Sequence, residues 1–389
     1  MDHATTTTGV RLAPRGAIRA APAATGAVEL LRERAAFDAL APEWDALVAR
    51  SGDDQVFYRH WFLSVWLDNF GAGAALRVAT LRDAGGRLTA ALPLLWRRQR
   101  LYGFPVRALC AMGNLHSCRF DLVAEDPLRA APALLSRLLQ ERDWDLLQLA
   151  DVPPCGHAHA LADAATAAGL CAGRWDSVVS PFVRLPAHWE VFERGLGSKT
   201  RTALRRRRRS LAASGRVELE RVTGGPRLHA CLDEALALEA AGWKGRVGTA
   251  IRNDPATLGF YTGLAHAAAE RGALALWMLR VDGRAIAFQY ALAHRDRELL
   301  LKQGYDEAFR AFGPGQLLME EVLRDGVQRG MVEFDLLGDD TPAKRTWTSQ
   351  VRRHQWLFVF RGMRGRLLHA LKFGAAPRAR RLLARLRRP

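Results

Sequence analysis

Leu299-Leu-Leu-Lys-Gln-Gly-Tyr-Asp306, continued by Glu307-Ala-Phe-Arg-Ala-Phe-Gly313-Pro-Gly315-Gln-Leu-Leu-Met-Glu-Glu-Val322, is the stretch that decides how this chain reads. A short apolar strand runs into a glycine-bearing loop, and the loop opens an amphipathic helix. That layout predicts an anion pocket. Gly313 and Gly315 allow close backbone approach, and the amides of Gly315, Gln316 and Leu317 are expected at the positive end of the helix dipole. Pro314 suits the first helical position, where its missing N–H costs nothing.

Outward from this stretch, periodicity divides the chain into two α/β halves. In the first, Val28–Arg32 reads as a strand, Phe37–Arg50 and Tyr58–Phe70 as helices, and 76–81 with 88–96 as a hairpin around Asp83-Ala-Gly-Gly86. Strands near 105–111 and 118–123, a helix over 128–140 and a strand from Trp144 follow. The second half repeats the plan: helices near 198–213, 227–241 and 255–271, a hairpin turning at Asp282-Gly283, a strand over 297–303, the glycine loop, a helix over 315–329 and a strand from Glu333. Trp144-Asp-Leu-Leu-Gln-Leu-Ala-Asp-Val-Pro and Phe334-Asp-Leu-Leu-Gly-Asp-Asp-Thr-Pro are near repeats, which predicts duplication. The first-half counterpart of the glycine loop, Met112-Gly-Asn-Leu-His-Ser-Cys-Arg-Phe, is a poor phosphate cradle. The expected organisation is a disordered Thr-, Ala- and Pro-rich segment 1–26, a first domain 27–185 without cofactor, a second domain 186–362 that holds it, and a basic amphipathic helix 363–389.

Composition narrows the class. No uncharged apolar run reaches the ~18 residues of a membrane span, and no secretory pattern opens the chain, so a cytoplasmic location is expected. The five cysteines form no Cys-x-x-Cys pair and suit a reducing compartment. His157-x-His159 beside Cys155 lacks a second ligand pair, so no metal is expected. The net charge of +17 is carried by two acid-free segments: seven cations in 199–209 and ten in 361–389 account for all of it. Such clusters attract polyanions.

Arg310-x-x-Gly313-x-Gly315 resembles the pyrophosphate signature of the GNAT acyltransferase superfamily, whose members hold acyl-coenzyme A there. Three more segments resemble one subfamily, the CelD/BcsL-type acyltransferases of cellulose and exopolysaccharide biosynthesis, relatives of the tandem-domain FemAB peptidyltransferases. They are Ser198-Lys-Thr-Arg-Thr-Ala-Leu-Arg-Arg-Arg-Arg-Arg, Glu239-Ala-Ala-Gly-Trp-Lys-Gly245, and Phe334-Asp335-Leu-Leu-Gly338-Asp339 with Lys344-x-x-Trp347. The four motifs cover about residues 190–360. The resemblance implies two tandem GNAT-like domains, each a mixed, mostly antiparallel sheet flanked by helices. It also implies acyl-coenzyme A, acetyl-coenzyme A first, as donor to an amine on a small molecule or glycan precursor. The subfamily often carries Tyr before the last Lys, where this chain has Ala343.

On this reading Arg310, Gly313, Gly315, Gln316 and Leu317 hold the donor. Glu239 and Asp335 are candidate bases, with Asp339 also eligible. Lys344 is a candidate oxyanion donor, and Tyr305 a candidate acid for the departing thiolate. Trp243, Lys244, Asp339 and Trp347 are expected at the acceptor. The chain has five lysines against heavy arginine use, and Lys244 and Lys344 both fall in motifs. Lysine can titrate where arginine cannot. Two rivals belong to other classes: a FemAB-like aminoacyl-tRNA-dependent ligase, and a non-catalytic basic adaptor for nucleic acid or anionic membrane through 363–389. No Walker loop, zinc finger or aromatic RNA-binding signature favours nucleic acid.

Overall fold

The computed structural model describes residues 26–375. Thirteen strands share one mixed sheet. In chain order they are β1 (Val28–Leu31), β2 (Ala75–Arg82), β3 (Leu88–Leu101), β4 (Phe104–Ala111), β5 (Val123–Ala124), β6 (Leu146–Val152), β7 (Cys171–Arg184), β8 (Val217–Val222), β9 (Leu274–Val281), β10 (Arg284–His294), β11 (Arg297–Tyr305), β12 (Glu333–Asp335) and β13 (Val351–Phe360). Their spatial order is β1-β2-β3-β4-β6-β13-β7-β12-β11-β10-β9-β8, with β5 beside β3.

The order is nearly symmetric about its middle. In each half, antiparallel strands lead to one parallel pair: β4 with β6, and β11 with β12. The connection within each pair contains a helix, Pro127–Gln140 in the first half and Pro314–Gln328 in the second. The near-repeats Trp144-Asp-Leu-Leu and Phe334-Asp-Leu-Leu thus sit at equivalent places. At the centre the halves exchange strands. β7 pairs with β12 through Phe182–Arg184, and β13 lies between β6 and β7. Segments 27–185 and 186–362 therefore share one sheet.

Four groups of helices cover it among the described residues. Helices His60–Phe70 and Pro255–Glu270, one from each half, pack together in a common core through Phe62, Phe70 and Phe260. Helices Pro127–Gln140 and His159–Ala167 bury a second core on the first half. The arginine helix Ser198–Ala212 and helix Pro314–Gln328 bury a third on the second half. Helix Gly362–His369 and the turn after it pack on the centre of the sheet, with the Lys372 ammonium 4.3 Å from the Phe358 ring centroid. The amphipathic helix expected over 363–389 extends past residue 375, outside the described residues, as does most of segment 1–26.

Local differences from expectation have local causes. The helix over Phe37–Arg50 is two helices, Arg34–Asp38 and Ala41–Arg50, because Pro42 starts the second one. The strand expected over 118–123 shrinks to β5. The buried Asp121 carboxylate accepts the amides of Leu122, His157 and Ala158 instead, and holds the segment as a loop. The strand from Glu333 stops at Asp335, since Leu337 and Gly338 both take left-handed backbone angles (φ 47° and 53°).

Candidate active site

β11 and β12 pair for three residues and then part. Arg297, Glu298 and Leu299 face Glu333, Phe334 and Asp335. Beyond Leu299, β11 continues to Tyr305 along β10 alone, with an irregularity that skips Leu301. The left-handed turn at Leu337–Gly338 carries the chain after β12 the other way. A cleft of about 780 Å³ opens between them. Residues 300–305 of β11 form one wall. Leu336, Asp339, Thr341, Ala343, Lys344 and Trp347 form the other, and Glu239 and Phe288 contribute from neighbouring elements.

The glycine loop closes the far end. Asp306 caps a 3-10 turn, Glu307–Phe312, by accepting the Ala308 amide at 2.9 Å. Gly313 then takes φ +62° and ψ 52° as the residue before helix Pro314–Gln328, a conformation that glycine adopts without strain. No side chain caps this helix. Arg310, Gly313, Gly315 and Gln316 all line the cleft.

The amides need a correction. Gln316 and Leu317 N–H donate to the Gly313 carbonyl at 3.0 and 3.2 Å, so the first helical turn satisfies them. Gly315 N–H alone of the three has no partner among the described residues. Leu317 is turned into the core, 4% exposed, and does not reach the cleft. Tyr305, partly exposed, stands at this same end: a Cβ on Gly315 would lie 3.7 Å from its ring.

Asp335 is a second correction. It is 1% exposed and lies outside the cleft lining. Its carboxylate pairs with Arg119, from the first half, and with Arg352 of β13 at 2.9 Å, and it accepts the Leu337 amide at 2.9 Å. Two guanidinium groups and an amide occupy it, so it joins the halves rather than acting as a free base.

Lys344 lines the cleft, but its ammonium donates to the carbonyls of Leu337 and, at 2.9 Å, Asp339. It pins the left-handed turn that opens the cleft. Burial holds its pKa below the usual lysine range, against the pull of Asp339. Glu239, 3% exposed, lines the cleft and accepts the Ile251 amide at 2.8 Å. Asp339 is exposed at the cleft, and Trp347 lines it from the core. The side chains of Trp243 and Lys244 lie outside the described residues. The glycine of their motif has a packing reason: a Cβ on Gly245 would stand 1.7 Å from the Ala240 carbonyl oxygen.

Sequence reasoning passed over Lys302 and read the first-half loop 112–120 only as a poor phosphate cradle. The Lys302 ammonium lies 5.2 Å from the Tyr261 ring centroid, on the β11 wall. Tyr261 in turn bonds the His116 ring nitrogen at 3.2 Å, which ties that loop to the second half. Burial, with Lys302 nearby, pushes the His116 pKa down to about 4. The scarcity of lysine that drew attention to Lys244 and Lys344 pointed equally to Lys302.

Residues 198–345 match the family model described as an acetyltransferase (GNAT) domain. The fold of the whole chain is similar to that of FemX, with a TM-score of 0.59, 11% identity, and coverage of 88% of this chain and 99% of FemX. A conserved protein of unknown function from Bacteroides thetaiotaomicron VPI-5482 aligns with a TM-score of 0.53 and 12% identity over 86% of this chain and 100% of its own. At these identities the likeness is one of fold. No curated protein matches the chain. The mixed α/β fold, one large mixed sheet flanked by helices, stands as expected.

Proposed function

We propose that the protein transfers an acyl group from a coenzyme A thioester, bound in the β11–β12 cleft of the GNAT domain, to an amine. The observation that carries this is the parting of β11 and β12 after three residue pairs, with an uncapped helix start at the open end. Residues 300–305, paired on one side only, offer main-chain groups to an extended arm over about 17 Å, at ~3.3 Å per residue. The glycine loop then receives the diphosphate. Leu300, Leu301 and Leu336 enclose the acyl end where the strands diverge.

At that end the acceptor nitrogen attacks the thioester carbon. The C–N bond forms, the C–S bond breaks, and the nitrogen gives up a proton. Glu239 is the proposed base and Asp339 the proposed acceptor contact. Lys344 shapes the site by holding its turn. Tyr305 stands at the diphosphate end, five residues from the divergence, so it bears on the loop rather than on the thiolate. The CelD/BcsL resemblance supports an amine on an exopolysaccharide or cell-envelope precursor, with acetyl as the first acyl group. The basic C-terminal segment would then hold a cytoplasmic enzyme at an anionic membrane face.

Thermal shifts against acetyl-, succinyl- and long-chain acyl-coenzyme A test the reading. A shift with at least one donor, followed by release of free thiol on adding amino sugars, is expected. Stabilisation by tRNA and by no coenzyme A derivative would replace the reading with that of a FemAB-like aminoacyl-tRNA-dependent ligase.

A further inference from the structure

The arginine helix does not act as one charged face. Arg205 pairs with Glu193 at 3.0 Å, and Arg208 with the buried Glu320 at 2.6 Å. Arg201 donates to the carbonyls of Glu193 and Arg194. Arg206 and Arg209 are exposed to solvent. Arg207 differs from all of these. It is the one residue of 205–209 that is half-buried, it lines the cleft, and it has no carboxylate partner among the described residues.

Its direction follows from helical spacing. Leu204 and Leu211 are both buried in the third core, and Arg207 lies three residues after one and four before the other. Arg208 has the mirror spacing and flanks the leucines on the other side, where it meets Glu320, so Arg207 is left on the side of the glycine loop. There the guanidinium lies against Gly313: a Cβ on that glycine would stand 2.9 Å from Arg207 Nε and 3.0 Å from Cζ. Gly313 is thus fixed by the arginine as well as by its left-handed backbone.

We infer that Arg207 is a phosphate ligand of the acyl donor, which it grips with Arg310 from the opposite element. The cleft therefore selects donors that carry a diphosphate over bare pantetheine thioesters. This rests on the acyl-coenzyme A reading and extends it to a residue outside the Arg-x-x-Gly-x-Gly pattern. Arg310 is exposed on the 3-10 turn, also with no ion pair among the described residues. The nearest acid, Glu307, is engaged by both terminal nitrogens of Arg246, at 2.9 and 2.8 Å. Two guanidinium groups, the Gly315 N–H and the helix start then face one space. An unpaired, half-buried guanidinium is costly until an anion meets it, and its planar fork suits phosphate oxygens.

Calorimetry on the full chain, with coenzyme A, pantetheine and inorganic pyrophosphate as titrants, tests this. Arg207→Gln should weaken coenzyme A about tenfold or more, as expected for a lost charge-assisted pair, and leave pantetheine unchanged. Arg206→Gln, one residue away, should stay within about twofold of the parent, and Arg207→Lys should recover part of the loss. Coenzyme A affinity kept within twofold in Arg207→Gln overturns the inference. So does an equal loss in Arg206→Gln, which would mean a diffuse polyanion face, or an equal loss for pantetheine. If the parent binds no coenzyme A, yet binds pyrophosphate in an Arg207-dependent way, the acyl-coenzyme A reading fails while the anion site stands. If the parent binds neither, both fail.

Discussion

The two halves place a helix start at the same point of the same frame and finish it in opposite ways. In the first half, Asp126 precedes helix Pro127–Gln140 and its carboxylate accepts the Arg129 amide at 3.1 Å. In the second, Gly313 precedes helix Pro314–Gln328, no side chain caps it, and Arg207 and Arg310 stand nearby. An aspartate cap satisfies a donor and puts a negative charge where a phosphate would sit. A glycine with two arginines does the reverse. The stretch beyond the parallel pair differs too. After Cys110 the first-half chain forms a loop that reaches into the second half, Arg119 to Asp335 and His116 to Tyr261. After Leu299 the second-half strand stays extended and leaves its edge to a ligand. The two halves offer the same position, and on the proposed function a few residues decide which of them binds.

That contrast can be broken at several points. The largest effect is expected at the bond between the halves. Asp335→Ala strands the buried Arg119 guanidinium and takes one of two carboxylates from Arg352, and should cost about 3–5 kcal/mol in urea unfolding, without removing a group from the cleft. A loss under about 1 kcal/mol would mean that Asp335 does not join the halves.

Acid should strike the same interface. His354, 1% exposed in β13, has its pKa pushed from 6.5 down to about 4 by burial and by Arg119. Between these values the unfolded chain binds a proton that the folded chain refuses, so stability falls as pH drops from 6.5 to 4 and is unaffected above. The loss is at most about 3.4 kcal/mol, from 1.36 kcal/mol per pH unit over 2.5 units. His354→Leu should flatten the unfolding profile over that window. An unchanged slope would contradict the assignment.

Lys344→Met sharpens the second-half side. It leaves two turn carbonyls without their donor and should cost about 2 kcal/mol, with turnover falling alongside stability. Turnover lost at full stability would return Lys344 to a chemical role. The smallest effect belongs to the first half. Asp126→Ala should cost about 1 kcal/mol as a lost cap and leave coenzyme A affinity unchanged.

Much of the frame was legible because it rests on local patterns. The hairpins at Asp83-Ala-Gly-Gly86 and Asp282-Gly283, the glycine loop and the long helices appear where spacing and turn residues put them. What escaped depends on distant partners. Val351–Phe360 is apolar mainly from Trp356 onward and runs into a basic segment, yet it becomes the central strand β13 between β6 and β7. Asp335 looked like a base at a strand end, since nothing local reveals Arg119, 216 residues away. The arginine run looked uniform for the same reason: Leu204 and Leu211 leave Arg207 and Arg208 flanking the buried stripe, and the distant Glu320, which takes Arg208, sets Arg207 apart. Gly313 and Gly315 were readable because backbone angle and close approach are written in the glycine itself.

The central claim is one diphosphate cradle per chain, in the second half. Calorimetry with acetyl-coenzyme A on the full chain and on Gly315→Trp tests it most directly. The account predicts one site per chain in the parent, and at least about a hundredfold weaker binding when the indole fills the space beside Tyr305, at unchanged unfolding midpoint. Two sites per chain, or equal affinity in Gly315→Trp, would contradict it.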